Sequence, residues 1–412
     1  MATERVLAPD RRAVLRRAQD AVRASAARLL GGAEARVALL IVAWKLLAFL
    51  VVVEGYRSVP LDEEEWRRNL VYPPSEAPTF QTTFTGWDAS HYLFLADEGY
   101  GKSAASDAFP PLFPLSIRAL NFVTGDGVVS GLLLANLASG AGLFVFFLFA
   151  RRRFGEATAW RALLLFLAFP TAFYLNLIYT EGPFLLLTAA FFYLLYRRQL
   201  ALAAMAAFLL PLTRVVGVFV AAPLAAFLLA DAWSSRQPAE KWSRALQARL
   251  LWALAPLAGL GAYMLYMRLT TGEFLAQFQA VGLYQSDWSI RHVFEPDILL
   301  RHLLAKDLSI VHTYWDRLAF LGFVAALPLI YRRVDRPLFL FCLLMGMVPL
   351  LGSFMSYTRY LALAVPMYIA FGSWFEAGGA WRRGPVFVCA LCGLGLAQAT
   401  FLVLHTRYYW VA

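Results

Sequence analysis

Long apolar runs, with arginines set between them, constrain this chain more than any other feature. Stretches such as 36–53, 128–150 and 385–404 carry few charges, while Arg151-Arg152-Arg153, Arg197-Arg198, Arg332-Arg333 and Arg382-Arg383 stand between such runs. A helix needs about 17–25 mostly apolar residues to cross a bilayer core. Composition agrees: 60% of the 412 residues are hydrophobic and 16% charged, against about 45–50% and about 25% in soluble domains. The mean hydropathy is +0.59. The apolar excess lies in runs rather than amphipathic stripes, so the chain reads as an all-α, multi-pass membrane protein. A net charge of +10 would suggest nucleic acid in a soluble protein. Here the arginines mark span ends, and no nucleic-acid partner is expected.

Eleven spans are expected within one polytopic domain, 1–412. The first, 36–53, rises from a basic tail, 1–35, whose arginines alternate with apolar residues as in a helix lying on anionic cytoplasmic lipid. A basic tail inside places the next loop, 54–127, outside. The second span, 128–150, returns to Arg151-Arg152-Arg153, and the third and fourth, 159–178 and 182–196, form a hairpin tipped by Tyr179-Thr180-Glu181. Gln199 to Asp231 is too long for one helix and has basic segments at both ends, so two short spans meet near Pro211-Leu212-Thr213-Arg214. The seventh, 250–268, leads to a second outer loop, 269–313. Spans at 316–331 and 337–354, a tenth, and 385–404 complete the count. Every cluster of adjacent arginines between spans then falls on the cytoplasmic side.

No cleavable signal sequence is expected, because about 35 residues precede the first run without a short apolar core and an A-x-A site. Cys342, Cys389 and Cys392 all lie in expected spans, and Cys389-x-x-Cys392 lacks the context of a redox motif, so all three read as helix packing.

The long outer loop carries Gly86-Trp87-Asp88-Ala89-Ser90-His91-Tyr92, then Leu95-Ala96-Asp97-Glu98-Gly99-Tyr100 and Phe109-Pro110-Pro111-Leu112-Phe113-Pro114. A carboxylate and an imidazole three residues apart on a helix face the same way. Asp88 suits a helix N-cap, and it equally suits a base for an incoming hydroxyl. Glu181 and Arg214 stand near the outer ends of apolar spans, where charges usually face the bundle interior or a wet cavity. Arg214 could also snorkel to the interface, and Glu181 reads as a structural hydrogen-bonding group.

These blocks together resemble the signature of the GPI mannosyltransferase II (PIG-V-type) family of GT-C membrane glycosyltransferases. Trp87-Asp88 with His91-Tyr92 and the Gly99-Tyr100 ending is similar to the family's first block, and Phe109 to Pro114 to its Phe-Phe-Pro-x-x-Pro block. Tyr179-Thr180-Glu181 resembles its Tyr-Ser/Thr-Glu, Thr213-Arg214 with Gly217 its Arg-x-x-Gly, and Ser356 to Tyr360 its Ser-x-x-Arg-Tyr. The chain departs from many bacterial relatives in having Ala89-Ser90 where they have Gly-Gly, which bears on acceptor access.

The resemblance implies a GT-C fold with short surface helices in the first outer loop. It also implies transfer of a hexose, most simply mannose, from a polyprenyl- or dolichyl-phosphate donor. The acceptor would be a hydroxyl on a glycolipid, glycan or protein. Asp88 would be the base, a role worth about 10²–10⁴ in rate. Arg359, aided by His91 or Arg214, would stabilise the departing phosphate through its planar fork, giving inversion at the anomeric carbon.

Tyr357 and Tyr360 flank Arg359 and could hold it or stack on a sugar; Trp87 and Trp288 are further candidates for substrate contact. His292, His302 and His312 recur at no metal-binding spacing, and the first outer loop has no Asp-x-Asp pair, so neither metal nor cofactor is expected. Lysine occurs only at positions 45, 102, 241 and 306. That bias toward arginine points to a GC-rich bacterium and its cytoplasmic membrane, the endoplasmic reticulum being the eukaryotic counterpart. A lipid or solute transporter would use a similar bundle, but transporters commonly show repeated halves, and this chain shows none.

Overall fold

The computed structural model describes residues 32–69, 72–234, 251–284, 288–307, 309 and 313–411, and every regular element among them is helical. Most of the expected basic tail, Gln285-Ser286-Asp287 of the second outer loop, and His312 lie outside the described residues. The chain opens with α1 (Ala33–Ser58), α2 (Glu63–Arg68), α3 (Asp88–Asp97) and α4 (Leu112–Thr124). Next come α5 (Gly127–Phe154), α6 (Glu156–Ala168), α7 (Glu181–Tyr196), α8 (Leu200–Thr213) and α9 (Ala221–Ser234). The remainder comprises α10 (Ala255–Thr271), α11 (Ala276–Val281), α12 (Pro296–Leu304), α13 (Tyr314–Arg333), α14 (Arg336–Gly346), α15 (Tyr357–Ala362), α16 (Pro366–Glu376) and α17 (Phe387–Thr406).

Ala33–Ser58, Gly127–Phe154, Val215–Trp233 and Arg382–Thr406 are long and apolar enough to cross a bilayer on their own. Several expected spans are interrupted instead, and proline is the reason. The run 159–178 is not one helix: α6 stops at Ala168, Phe169 turns extended (φ −60°, ψ 136°) and a 3₁₀ turn, Ala172–Asn176, follows. Pro170 disfavours helical geometry at Phe169 and removes a backbone donor. Pro349 likewise sits in the 3₁₀ turn Val348–Leu351 after α14, and Pro366 starts α16 just after α15. Broken helices at membrane depth are tolerated where neighbouring protein satisfies the freed backbone.

Helices pack closely where small residues let them. A Cβ on Gly182 would come within 2.6 Å of the Ala135 carbonyl oxygen, so α7 lies directly against α5. A Cβ on Gly217 would lie 2.4 Å from the Leu210 carbonyl carbon, so the turn after α8 folds back onto its last residues. Both close approaches sit beside charged residues, Glu181 and Arg214.

The two ends of the bundle differ. At one end ion pairs link separate helices: Arg151 to Glu34 (2.5 Å), Arg36 to Glu156 (3.4 Å), Arg153 to Asp335 (3.3 Å), and Arg161 to Glu376. The Asp88 loop crowns the other end. Between them, in the middle of α1, Lys45 Nζ donates to Ser139 Oγ (2.7 Å), Asn136 Oδ1 (3.0 Å), Asn176 Oδ1 (3.2 Å) and the Leu175 carbonyl (3.3 Å). This knot ties α1 and α5 to the 3₁₀ turn that interrupts 159–178. Cys342 is buried in the core, whereas Cys389 and Cys392 lie on an exposed face of α17.

Candidate active site

Four charged residues from distant parts of the chain meet at the end that carries the loop. Arg359 Nη2 donates to Asp88 Oδ2 at 2.7 Å, and Arg359 Nε donates to Glu181 Oε1 at 2.9 Å. Arg214 Nη1 reaches the same Glu181 Oε1 at 2.9 Å and Thr180 Oγ1 at 3.1 Å. Side-chain exposure is 6% for Arg359, 2% for Glu181, 10% for Arg214 and 28% for Asp88. The cluster is balanced in charge, two carboxylates against two guanidiniums, and only Asp88 opens appreciably to solvent.

Local sequence explains each placement. Trp87 takes a positive φ of 58°, which turns the chain sharply and starts α3 at Asp88. Asp88 is therefore the first helical residue, not the N-cap, and its carboxylate goes to Arg359 rather than to backbone N–H groups. Glu181 is the first residue of α7. Arg214 is extended (φ −151°, ψ 134°) at the end of α8, where the fold-back onto Gly217 holds it. Arg359 lies on the short α15, which is fixed by Asp316: its Oδ1 accepts from Thr358 N at 2.7 Å and Thr358 Oγ1 at 2.8 Å.

Electrostatics favour an ionised Asp88. Burial pushes its pKa up, but the charge and hydrogen bond of Arg359, with the charges of Arg214 and His91, outweigh that and hold it below the usual carboxylate range. His91 is pushed down by burial, which the charge of Asp88 only partly offsets. Its ring nitrogens meet Ser106 Oγ (3.0 Å, Nδ1) and Tyr284 OH (3.2 Å, Nε2), and the ring stacks on Phe109 at 4.9 Å. His91 thus joins the first outer loop to the second, with both nitrogens occupied.

The tyrosines are arranged otherwise than expected. Tyr357 points into the core, where it is 1% exposed and donates to the Gly346 carbonyl at 2.9 Å, because α15 turns it away from the cluster. Tyr360 lies under Arg214, 4.8 Å from ring centre to guanidinium carbon, and Trp288 tilts against Tyr360 at 5.9 Å. Arg359 is held by Tyr174 and Tyr179, at 4.5 and 4.9 Å, neither of which was singled out to hold it. Tyr174 comes from the turn that Pro170 creates, so a continuous span left no reason to notice it.

His405 and the residues after α17 were missed as well. Trp87 lies near-parallel to His405 (6.2 Å) and Tyr408 (6.3 Å), and its edge meets Trp410 (5.2 Å). His405 alone among the five histidines directly adjoins an expected apolar span, 385–404, and an ionisable group against such a run is a functional candidate.

Glu181 Oε2, Trp87 Nε1 and Trp410 Nε1 are buried around the cluster without a partner among the described residues. No three His, Cys, Asp or Glu side chains among the described residues gather as metal ligands. An apolar groove of about 650 Å³ is walled by Trp315, Phe323, Tyr368 and Phe401, and Thr358, the sequence neighbour of Arg359, also lines it.

The chain matches no family model and no curated protein. Its backbone is similar to solved structures. The crystal structure of ArnT from Cupriavidus metallidurans bound to undecaprenyl phosphate is 15% identical with a TM-score of 0.51, over 92% of this chain and 77% of that one. The oligosaccharyltransferase of Archaeoglobus fulgidus, in its apo form, is 13% identical with a TM-score of 0.47, over 90% of this chain and 56% of that one. The likeness to ArnT shows that this chain, helical in every regular element among the described residues, has a GT-C fold.

Proposed function

We propose that this chain is a GT-C hexosyltransferase that moves a hexose, most simply mannose, from a polyprenyl-phosphate donor to a hydroxyl of a glycolipid, glycan or protein. The observation that carries this reading is the buried cluster in which Asp88, alone, keeps an approachable carboxylate oxygen. Oδ2 is held by Arg359, while Oδ1 accepts no hydrogen bond from the described residues.

An acceptor hydroxyl lying against Oδ1 gives up its proton there as its oxygen attacks the anomeric carbon. The bond to the phosphate oxygen breaks on the opposite face, and its electron pair leaves with the lipid phosphate, so configuration inverts. A lipid phosphate is a stable leaving group that needs no proton. It needs positive charge, and Arg214 supplies it: among the described residues only Nη1 hydrogen-bonds to protein, leaving its other N–H groups to grip phosphate oxygens while Tyr360 supports the guanidinium face. Arg359, assigned from sequence to the phosphate, has its Nε and Nη2 committed to carboxylates and acts chiefly by aiming Asp88. The ArnT likeness comes from a structure bound to undecaprenyl phosphate, which supports a polyprenyl lipid as donor, and the apolar groove that Thr358 helps to line offers its chain a place to lie. The arginine-rich end then faces the cytoplasm and the cluster the opposite side.

The test is reconstitution in vesicles with polyprenyl-phosphate mannose and a panel of acceptors, comparing the wild type with Asp88→Asn. Transfer by the wild type and a loss of at least about 10²-fold in the variant, the lower bound for general-base catalysis, is the expected result. Asn cannot accept the proton, so turnover above about a tenth of wild type would remove Asp88 from the base role.

A further inference from the structure

We infer that His405 is a positioning residue for the transfer proposed above: it fastens Tyr174 and Tyr179 into a cradle for Arg359, and through Arg359 it aims Asp88. The inference rests on that reading for its kinetic consequences and on geometry for its mechanism.

His405 is 7% exposed in the last turn of α17. Its Nδ1 lies 3.3 Å from Tyr174 OH and its Nε2 3.1 Å from Tyr179 OH. One imidazole therefore fixes two phenols, one from the 3₁₀ turn Ala172–Asn176 and one from the bend just before α7. The ring centres of those phenols are 4.8 Å apart, and each lies within 5 Å of the Arg359 guanidinium carbon, at 4.5 and 4.9 Å. Three nearly equal separations form a triangle, so the rings stand side by side beneath the guanidinium rather than on opposite faces. A cation on such a cradle gains about 0.5–2 kcal/mol from each ring, provided the rings keep their tilt. Tethering both hydroxyls keeps that tilt.

The hydrogen bonds also fit one proton arrangement. Tyr179 OH lies 3.5 Å from the Gly86 carbonyl, an acceptor that can take its proton. Tyr179 then accepts from Nε2–H, and Nδ1 accepts from Tyr174 O–H. A neutral imidazole, one donor and one acceptor, satisfies this chain of bonds. It links His405 back to Gly86, two residues before Asp88, while Trp87 lies along its face. The imidazole touches both the support of Arg359 and the turn that presents Asp88. It reaches no position where a reacting atom would sit except through them.

Three chains test this: wild type, His405→Phe, which keeps the ring and deletes both hydrogen bonds, and His405→Gln, which keeps a donor and an acceptor. With the polyprenyl-phosphate mannose assay, His405→Phe should lower kcat by about 10–10² fold, the scale of a misplacement near 1 Å, with the acceptor KM little changed. His405→Gln should recover most of the loss. A kcat within twofold of wild type in His405→Phe, or Gln as damaging as Phe, would overturn the inference. A cryo-EM map of each variant reads the geometry without any reaction: Arg359 should leave Asp88 in the Phe variant and keep it in the Gln variant. If His405→Phe does not fold, Gln against wild type decides by the same two readings. A wild type that transfers no sugar would sink the proposed function, and the maps alone would then decide on His405.

Discussion

Arginines and carboxylates pair at both ends of this bundle, yet the two sets do different things. At the basic end, Arg36 and Glu156 meet at 3.4 Å with 55% and 49% of their side chains exposed. At the other, Arg359 and Asp88 meet at 2.7 Å with 6% and 28% exposed. Exposed pairs contribute about 0–1 kcal/mol, since water and salt screen them and long side chains lose freedom. A buried pair gains little over apolar packing, but breaking it strands a charge and costs about 3–5 kcal/mol. The basic end can lose a member quietly. The Asp88 end cannot, and that sensitivity lets a few residues hold one geometry.

The strongest way to break this contrast is Glu181→Gln, which removes the charge both guanidiniums share. Denaturant unfolding in detergent should show a loss of about 3–5 kcal/mol; a loss below about 1 kcal/mol would make this cluster no different from the exposed pairs. Arg359→Lys keeps the charge but cannot span Asp88 and Glu181 with a rigid fork. Turnover should fall about 10–10² fold, the worth of one charge-assisted hydrogen bond, and full activity across donor concentrations would remove Arg359 from the alignment of Asp88.

A pH profile sharpens the same point. The depressed pKa keeps Asp88 ionised, so kcat/KM should hold as pH falls and fail only below the ordinary value of 3.8. In Arg359→Gln the upward push of burial loses its main opponent, and the acid limb should move to higher pH. An unmoved limb would detach Asp88 from the profile. The smallest effect belongs to the basic end: Arg36→Gln should change stability by less than about 1 kcal/mol and leave turnover alone. A larger change would mean that exposure is a poor guide here.

Much of this was legible in the sequence, residue by residue. Asp88, Glu181, Arg214 and Arg359 each stood out as a charge beside an apolar run, and the two short helices meeting at Arg214 followed from a run too long for one span and flanked by basic segments. Their convergence was not legible, because hydropathy reports which faces avoid water and not which distant faces meet. The breaks at Pro170, Pro349 and Pro366 were hidden for a related reason: apolar content continues through them although the helix does not. Tyr174 owes its place to one such break. Tyr357 points into the core rather than toward the cluster, which sequence could not tell, because proximity in sequence to Arg359 says nothing about direction on a one-turn-and-a-half helix.

Lys45 bears on how the protein is made. A lysine at the centre of a span costs about 2.5–3.5 kcal/mol when a helix partitions from the translocon into lipid. All four oxygens that surround it belong to residues at 136–176, synthesised well after α1 has emerged. The nascent first helix therefore meets the bilayer with an uncompensated ammonium, and only the arrival of α5 and the turn behind it relieves that state. A chain truncated before residue 136 would keep that ammonium without any of its four acceptors.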